Sequence, residues 1–310
     1  MKHTILGAGG SIGNSLTHEL LSHNEDVRLV SRSGFSIPGA ESVKGDITSY
    51  SDMLISLQGS DVVYLCVGLA YDSKVWKETW PLIMKNTIDA CKSMNAKLIF
   101  FDNVYMYGHV EGIMTEETPY NPNSKKGEIR AKIADHLGSE YKQGNINAII
   151  ARAADLYGPY ADRTSAAYLL AISNLMKGRK AQCMVNANVH HSYTYTIDCA
   201  KSLYLLANTN EAFNQVWHLP TSNPGLTGKE FIEMAAKEIG VNPNYMVLQK
   251  WMIKMAGIFN TTIGELYEML YQSEFEYHFD STKFNKYFNY TPTLYEKGIH
   301  DTIEFFQNKV

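Results

Sequence analysis

The first half of the chain alternates between short apolar runs, typical of buried strands, and longer segments with hydrophobic residues on one helical face. In Ser11–His23, for example, Ile12, Leu16, Leu20 and Leu21 share one face of a predicted helix. The apolar runs predict strands at His3–Gly7, Asp26–Arg32, Ser60–Gly68, Ala96–Tyr105 and Asn147–Tyr157, and periodic segments predict helices at Trp80–Met94 and Lys125–Gln143. Strands alternating with helices form βαβ units, and right-handed crossovers between them give a doubly wound parallel sheet.

The pattern changes after Gly158-Pro159, where tyrosine, methionine and asparagine become frequent. Helical periods at Lys229–Ile239 and Lys297–Gln307 are separated by the turn-forming sequences PTSNPG and NPN. We therefore predict an α/β fold in which a smaller mixed α/β lobe covers the substrate end of the sheet. The predicted domains are residues 1–160, with a segment around 185–215 returning to them, and residues 161–310.

Composition narrows the classes of protein. The chain is 45% hydrophobic and 19% charged, as expected for a globular protein, and its net charge of -4 argues against a nucleic-acid binder. The four cysteines are scattered without a CxxC pair, so they are predicted to be buried thiols in a reducing compartment and not metal ligands. A predicted strand within the first residues leaves no room for a signal peptide, and no apolar run approaches a membrane span. We expect a cytoplasmic protein that binds neither membranes nor metal.

The sequence GAGGSIG, residues 7–13, lies directly between the first predicted strand and the first predicted helix. Glycine permits a tight turn and a close approach of the backbone to a pyrophosphate, while the helix N-terminus supplies free N–H groups. This context predicts a dinucleotide site in a Rossmann-type fold. The predicted contacts from this loop are Gly7, Gly10, Ser11, Ile12 and Gly13.

The tip of the second predicted strand indicates which dinucleotide is bound. An NAD site carries a carboxylate about 20 residues after the glycine loop, and this chain has Ser31 and Arg32 there instead. A hydroxyl followed by a guanidinium suits the 2′-phosphate of NADP. We therefore expect NADP as the cofactor, with NAD less favoured, although Arg32 could also be a solvated surface residue.

These segments together resemble the extended short-chain dehydrogenase/reductase superfamily, of the NAD(P)-dependent epimerase/dehydratase type. The similar motifs, in order, are GAGGSIG, GDIT (Gly45–Thr48), NVYMYG (Asn103–Gly108), ARAADLYGP (Ala151–Pro159), YTYTIDCAKSL (Tyr193–Leu203) and TPTLYEKGIHDTIEFF (Thr291–Phe306). The resemblance implies that the cofactor is also contacted by Asp46, Ile47, Cys66, Val67, Gly68 and Arg130. It also implies a small-molecule substrate.

The chain departs from this superfamily at its catalytic positions. Asn103 stands where the family has serine or threonine, and aligning KGEIR with the family's tyrosine–glycine–x–x–lysine puts Lys126 at the tyrosine and Arg130 at the lysine. A competing register puts Glu128 and Lys132 at these two positions. We prefer the first register because Gly127 then falls where the family often has glycine.

The spacing of four between Lys126 and Arg130 brings both side chains to one helical face. The resemblance then implies that Arg130 holds the nicotinamide ribose and that Lys126 shuttles a proton, as in the aromatic-alcohol and isoflavone-type reductases. Alternatively, both residues lie on a solvated surface. Tyr105, Tyr107 and Tyr157 are other candidate acids, although tyrosine is abundant in this chain.

The positions that hold a diphosphate in nucleotide-sugar members are also altered. Asp155 replaces an asparagine, His191 stands where an arginine is frequent, and no arginine follows Arg179. Since a carboxylate repels a diphosphate, a nucleotide sugar is disfavoured.

Three functions therefore compete. The first is an NADP-dependent oxidoreductase acting on a small carbonyl, alcohol or enone. The second is a non-catalytic NADP-binding sensor or scaffold, and the third is a sugar epimerase or dehydratase with a rearranged acid set.

The resemblance also implies a homodimer that pairs through the predicted helices Trp80–Met94 and Lys125–Gln143. Apolar positions on these helices could instead belong to the intramolecular core. The positions are Ile83, Ile88, Ile129, Ile133 and Leu137.

Overall fold

A computed structural model of the chain describes residues 1–308. The strands are β1 (Lys2–Leu6), β2 (Asp26–Ser31), β3 (Glu41–Lys44), β4 (Val62–Leu65), β5 (Lys97–Asp102), β6 (Ile113–Met114), β7 (Ala148–Arg152), β8 (Asp155–Tyr157), β9 (Ala181–Met184), β10 (His190–His191), β11 (Tyr193–Tyr195), β12 (Gln215–His218), β13 (Leu226–Thr227), β14 (Tyr245–Leu248) and β15 (His278–Phe279). The α-helices are α1 (Ser11–Ser22), α2 (Tyr50–Leu57), α3 (Ser73–Met94), α4 (Lys125–Lys142), α5 (Ser173–Met176), α6 (Thr196–Ala207), α7 (Gly228–Ile239), α8 (Lys250–Phe259), α9 (Thr261–Leu266), α10 (Tyr271–Glu274), α11 (Thr282–Tyr287) and α12 (Tyr295–Gln307). Short 3₁₀ turns occupy Tyr105–Tyr107, Asn210–Ala212 and Tyr267–Met269, and a π-helical turn occupies Ala167–Ile172.

The centre of the fold is a parallel sheet, which confirms the predicted doubly wound architecture. Among the described residues it has seven strands in the order β12-β7-β5-β4-β1-β2-β3. The strand order reverses between β1 and β4, so the carboxyl ends of these two strands flank a crevice. Ligands of open α/β sheets bind at such a switch point.

Several predicted boundaries differ from the observed ones. Helix α3 begins at Ser73 and not at Trp80, because Asp72 caps it by accepting hydrogen bonds from the N–H groups of Lys74 (2.8 Å) and Val75 (3.0 Å). The predicted strand Asn147–Tyr157 is two strands, since β8 leaves the sheet and pairs with β11. The sequence pattern did not predict β3, β12 and α2, because these short elements show no clear period of hydrophobic residues.

The two faces of the sheet are covered by different helices. Helices α3 and α4 pack side by side over one face, and α1 and α6 pack over the other. The apolar positions considered for a dimer face are all buried in the core of the single chain: Ile83, Ile88, Ile129, Ile133 and Leu137. The intramolecular alternative therefore accounts for them, and the homodimer stays a prediction.

The C-terminal segment forms its own apolar cluster beside the sheet. Tyr157 of β8 packs against Phe231 of α7 and Tyr295 of α12, with ring centroids 6.1 and 5.8 Å apart. Helix α7 begins with a capping box in which Thr227 and Glu230 satisfy each other's backbone N–H groups. No helix within residues 1–308 is long and apolar enough to cross a membrane.

A buried ionic cluster joins the sheet to helix α4. Asp102, at the end of β5, is 1% exposed and accepts hydrogen bonds from Arg130 Nε (2.8 Å) and from Arg130 Nη2. Its second oxygen accepts from Arg152 Nε of β7 at 3.3 Å. The Arg130 guanidinium also lies over the rings of Trp80 (4.5 Å) and Phe100 (4.8 Å). Arg130 is thus buried, and the solvated-surface alternative is wrong for this residue.

Uncharged groups accept hydrogen bonds from the other two nitrogens of Arg152. Its Nη1 donates to the Tyr107 hydroxyl at 2.6 Å and its Nη2 donates to the Tyr120 hydroxyl. The Tyr107 hydroxyl lies 2.8 Å from His218 Nε2, while His218 Nδ1 donates to the Asp280 carbonyl at 2.8 Å. Burial and the charge of Arg152 lower the pKa of His218 to about 3, so this histidine is neutral and accepts the tyrosine hydrogen bond.

Removing the shared carboxylate should destabilise the fold strongly. Asp102→Ala leaves two buried guanidinium groups without their anion, and breaking a buried pair in this way costs about 3–5 kcal/mol. We expect this loss in the free energy of unfolding, measured by urea denaturation at pH 7. The control is Asp89→Ala, which removes an exposed pair with Lys85 and should leave stability nearly unchanged. A similar small effect for both variants would contradict a structural role for the cluster.

Candidate functional site

The glycine loop after β1 is packed so closely that Gly7 and Gly13 leave no room for a side chain. A Cβ atom on Gly7, which has φ +95°, would lie 2.9 Å from the Cys66 carbonyl, and one on Gly13 would lie 2.8 Å from the Gly7 oxygen. Helix α1 begins with Gly10 as its N-cap, which offers no side chain to the amides of the first turn. Those amides are available to an anion. This is a backbone cradle of the kind that a pyrophosphate requires.

The tips of β2 and β3 lie beside this loop. Ser31 Oγ accepts from the Phe35 N–H at 2.8 Å, whereas Arg32 is exposed. Asp46 accepts from the N–H (2.9 Å) and hydroxyl (2.7 Å) of Thr48. These bonds, with the nearby positive charge of Arg32, lower the pKa of Asp46. The segment that follows β3 therefore has a fixed conformation.

The end of β4 completes the crevice. The Cys66 N–H donates to the Leu6 carbonyl at 2.9 Å, which continues the β1–β4 pairing up to the glycine loop. Burial raises the pKa of the Cys66 thiol well above its usual range, as expected for an inert thiol. Val67 and Gly68 follow directly, and Ile47 lies opposite, where its carbonyl accepts from Asn86 at 3.3 Å. The cofactor contacts assigned to this segment stay predictions.

Helix α4 begins with a turn that only glycine fits. Ser124 caps it by accepting from the Gly127 N–H at 3.0 Å, and a Cβ on Gly127 would lie 2.5 Å from the Tyr105 carbonyl. Glu128 and Lys132, the pair of the competing register, are both exposed to solvent.

Asn103 shapes the turn that meets this helix. Its side-chain oxygen accepts from the Tyr105 N–H at 3.1 Å, directly after β5. The bond fixes the backbone of the turn, and a catalytic role for Asn103 stays a prediction.

Lys126 is fully buried, so the solvated-surface alternative is wrong for this residue too. Its Nζ contacts Glu265 Oε2, lies 2.8 Å from Glu268 Oε1, and lies 4.5 Å from the centre of the Tyr71 ring. Lys126 thus reaches towards the C-terminal lobe while Arg130 reaches towards β5. The structure does not bring their charged groups to a common partner, and the ribose contact of Arg130 stays a prediction.

The two glutamates bridge the N-termini of two helices. Glu265 accepts from the Ser73 N–H (3.0 Å) and hydroxyl (2.9 Å) at the start of α3, and Glu268 accepts from the Lys125 N–H (2.8 Å) at the start of α4. We call this segment, residues 261–269, the strap. Sequence reasoning missed it because no local pattern links it to α4, whose Lys126 lies 139 positions before Glu265.

Asp155 and His191 form a direct pair. The distance from Asp155 Oδ2 to His191 Nε2 is 2.9 Å, and His191 Nδ1 lies 3.2 Å from the Gln272 carbonyl. Both residues line a narrow cavity of about 60 Å³ in the lobe, together with Gln182 and Cys183. No lysine or arginine of the described chain lines this cavity.

Known structures share this fold over their whole length. UDP-glucose 4-epimerase of Thermus thermophilus, solved with NAD, has a TM-score of 0.81 and 16% identity over 100% of both chains. UDP-glucose 4-epimerase of Thermotoga maritima, solved with UDP-glucose, has a TM-score of 0.81 and 18% identity over 100% of this chain and 99% of that one. The dTDP-glucose 4,6-dehydratase DesIV of Streptomyces venezuelae, solved with NAD, has a TM-score of 0.80 and 16% identity over 99% and 97% of the chains.

No curated protein matches the sequence. The sequence profile of the NAD dependent epimerase/dehydratase family, in contrast, matches residues 3–218. This span contains the glycine loop, helix α4 and the Asp155–His191 pair. Because the match covers more than half of the 310 residues, the chain belongs to the NAD dependent epimerase/dehydratase family.

Proposed function

We propose that this protein is a nicotinamide-dinucleotide-dependent oxidoreductase of the epimerase type, which transfers a hydride at a hydroxyl-bearing carbon of a sugar-like substrate. The observation that carries the proposal is the backbone cradle at Gly7–Gly13 in the crevice at the switch point of the sheet. The solved neighbours support a sugar over the small carbonyl or enone favoured by the sequence, since their names describe enzymes of nucleotide sugars.

The chain offers a complete set of groups for the dinucleotide. The amides of Ser11, Ile12 and Gly13 at the start of α1 would bind the pyrophosphate, and the exposed Arg32 at the tip of β2 would pair with a 2′-phosphate. The bound cofactor would accept or donate the hydride. Two of the structures named above, the Thermus thermophilus epimerase and DesIV, were solved with a dinucleotide, and in both it is NAD. NADP is our finer proposal, resting on Arg32 and on the lack of a carboxylate at the tip of β2.

Lys126 is the group best placed to handle the accompanying proton. It lies in the first turn of α4, and the hydroxyl of its neighbour Tyr71 lies close to that of Tyr105. Glu265 and Glu268 hold the Lys126 ammonium and offer a route for its proton. When a ketone is reduced, the hydride goes to the carbonyl carbon and the proton from Lys126 goes to the oxygen; alcohol oxidation reverses both transfers.

A specific observation favours the non-catalytic alternative. Both carboxylates of the strap already engage Lys126, and the Glu265 carbonyl accepts from it as well at 3.1 Å. A lysine held in this way can be a structural clamp. Mixing the protein with NADPH and a panel of ketosugars and simple ketones separates the two functions, because only an enzyme oxidises the cofactor.

The cofactor preference can be tested at Arg32. Arg32→Ala removes one charge-assisted contact to the 2′-phosphate, worth about 1.5–3 kcal/mol. NADPH binding, measured by calorimetry, should weaken by roughly ten- to a hundredfold, while NADH binding should hardly change. Arg179→Ala, which removes an exposed arginine in the lobe, is the matched control. Equal losses for both cofactors would refute the preference for NADP.

The proton-transfer role can be tested at Lys126. Lys126→Ala should lower turnover by about 10²–10⁴, the usual effect of losing a positioned acid or base. Dinucleotide affinity, measured on the same samples, should change little. Lys125→Ala, on the exposed neighbour, is the control.

Two results would contradict this assignment. If Lys126→Ala keeps full turnover while Glu128→Gln or Tyr105→Phe loses it, the alignment of α4 is wrong but the enzyme remains. If the wild type binds NADPH and transfers hydride to no member of the panel, the protein is a non-catalytic binder.

A further inference from the structure

Four largely buried tyrosines lie near enough to Asp155 to feel its negative charge, where helix α4 meets the lobe. We call them the tyrosine ring: Tyr71, Tyr105, Tyr271 and Tyr277. Burial is the main cause that raises the pKa of each tyrosine, to about 12 for Tyr105. The negative charge of Asp155 or a neighbouring hydroxyl is the next largest cause. These hydroxyls are therefore protonated at neutral pH, and each can both donate and accept a hydrogen bond.

Tyr277 has a polar group that the protein leaves unsatisfied. The residue is 5% exposed, and its ring stacks on His191 with centroids 4.2 Å apart. Among residues 1–308 its hydroxyl finds no hydrogen-bond partner. The hydroxyl of Tyr271 lies close to Ser124 but likewise makes no hydrogen bond of normal geometry. Buried hydroxyls without partners are rare, and a ligand is one physical reason for them.

The carboxylate in the centre is accessible. Asp155 keeps 35% of its side chain exposed despite its pair with His191. The two ring nitrogens of His191 lie 2.9 Å from Asp155 Oδ2 and 3.2 Å from the Gln272 carbonyl, which fixes the ring beside the carboxylate. Only Oδ2 of Asp155 makes this contact, so the carboxylate retains lone pairs for a hydroxyl donor.

The two cations that α4 places at this junction are already paired. Within the described chain, Lys126 is held by Glu265 and Glu268, and Arg130 is held by Asp102. A phosphate at this junction would approach the carboxylates of Asp155, Glu265 and Glu268, while Lys126 and Arg130 are already engaged, so its charge would be poorly compensated in a partly dry site. A neutral hydroxyl avoids this repulsion and can donate to Asp155 while accepting from tyrosine.

We propose that the tyrosine ring and Asp155 bind a neutral polyhydroxylated ligand that carries no phosphate, such as a free sugar or a cyclitol. The inference rests on the proposed function, because it defines the substrate of that same site. It predicts that the nucleotide part of a nucleotide sugar is absent from the substrate of this protein. Tyr277 and Asp155 are then residues that determine substrate specificity.

The test is equilibrium binding, which does not depend on hydride transfer. Free monosaccharides and cyclitols are titrated calorimetrically into the full chain, with and without NADPH, beside their monophosphates and beside UDP-glucose. We expect at least one free compound to bind and its phosphorylated form to bind at least about tenfold more weakly, because Lys126 and Arg130 are already paired with carboxylates. Tighter binding of a phosphate or of UDP-glucose, or no binding of any free compound at millimolar concentration, overturns the proposal.

Variants locate the site. Tyr277→Phe should weaken the free ligand about tenfold, and Asp155→Asn about ten- to a hundredfold, because they remove one neutral and one charged hydrogen bond. Tyr277→Phe should leave the unfolding midpoint of the ligand-free protein unchanged, since the lost hydroxyl had no partner. Tyr157→Phe is the matched control: its hydroxyl is also buried and unpartnered, but it lies in the lobe core.

The outcomes separate the two proposals. Binding that is weakened by Tyr277→Phe and Asp155→Asn but not by Tyr157→Phe supports the ligand site, even if no hydride transfer is found. Affinities unchanged in both site variants overturn it, even if the enzyme proves active on another substrate.

Discussion

The carboxylate of Asp102 is the group on which the geometry of the site depends. It ends β5 in the buried interior and lies between Arg130 of α4 and Arg152 of β7. A buried guanidinium is tolerated only with a counterion, so these bonds set where α4 sits against the sheet. The turn after β5 and the first turn of α4 are thereby held together, and Lys126 and Tyr105 project from that junction.

The two halves of the proposed site are constrained in different ways. The loop after β1 requires glycines, because a Cβ at Gly7 or Gly13 would collide with neighbouring backbone. The other half presents side chains, such as those of Lys126, Asp155 and His191. A backbone cradle constrains the residue type sterically, whereas a pocket lined by side chains can change its chemistry without changing the fold.

The strap shows how a new residue set is supported. Glu265 and Glu268 come from the C-terminal lobe and lie at the N-termini of α3 and α4, where the helix dipoles favour negative charge. The same carboxylates neutralise the fully buried Lys126. Lys126 introduces a charge into the interior, and the carboxylates of the strap compensate it.

The sequence by itself determined the parallel sheet, the glycine loop and the start of α4, because each follows from the local spacing of apolar residues and glycines. The motifs around Asp155 and His191 also indicated that these two residues depart from the pattern of the family that the sequence resembles. The sequence did not reveal that Arg130 turns to Asp102, that β8 leaves the sheet, or that the tyrosine ring gathers at Asp155. These depend on contacts between residues far apart in the chain, such as the 139 positions between Lys126 and Glu265. Only the tertiary structure decides which partner a buried charge or hydroxyl finds. Burying such a group costs free energy unless it is paired, and the partner here comes from a distant part of the chain.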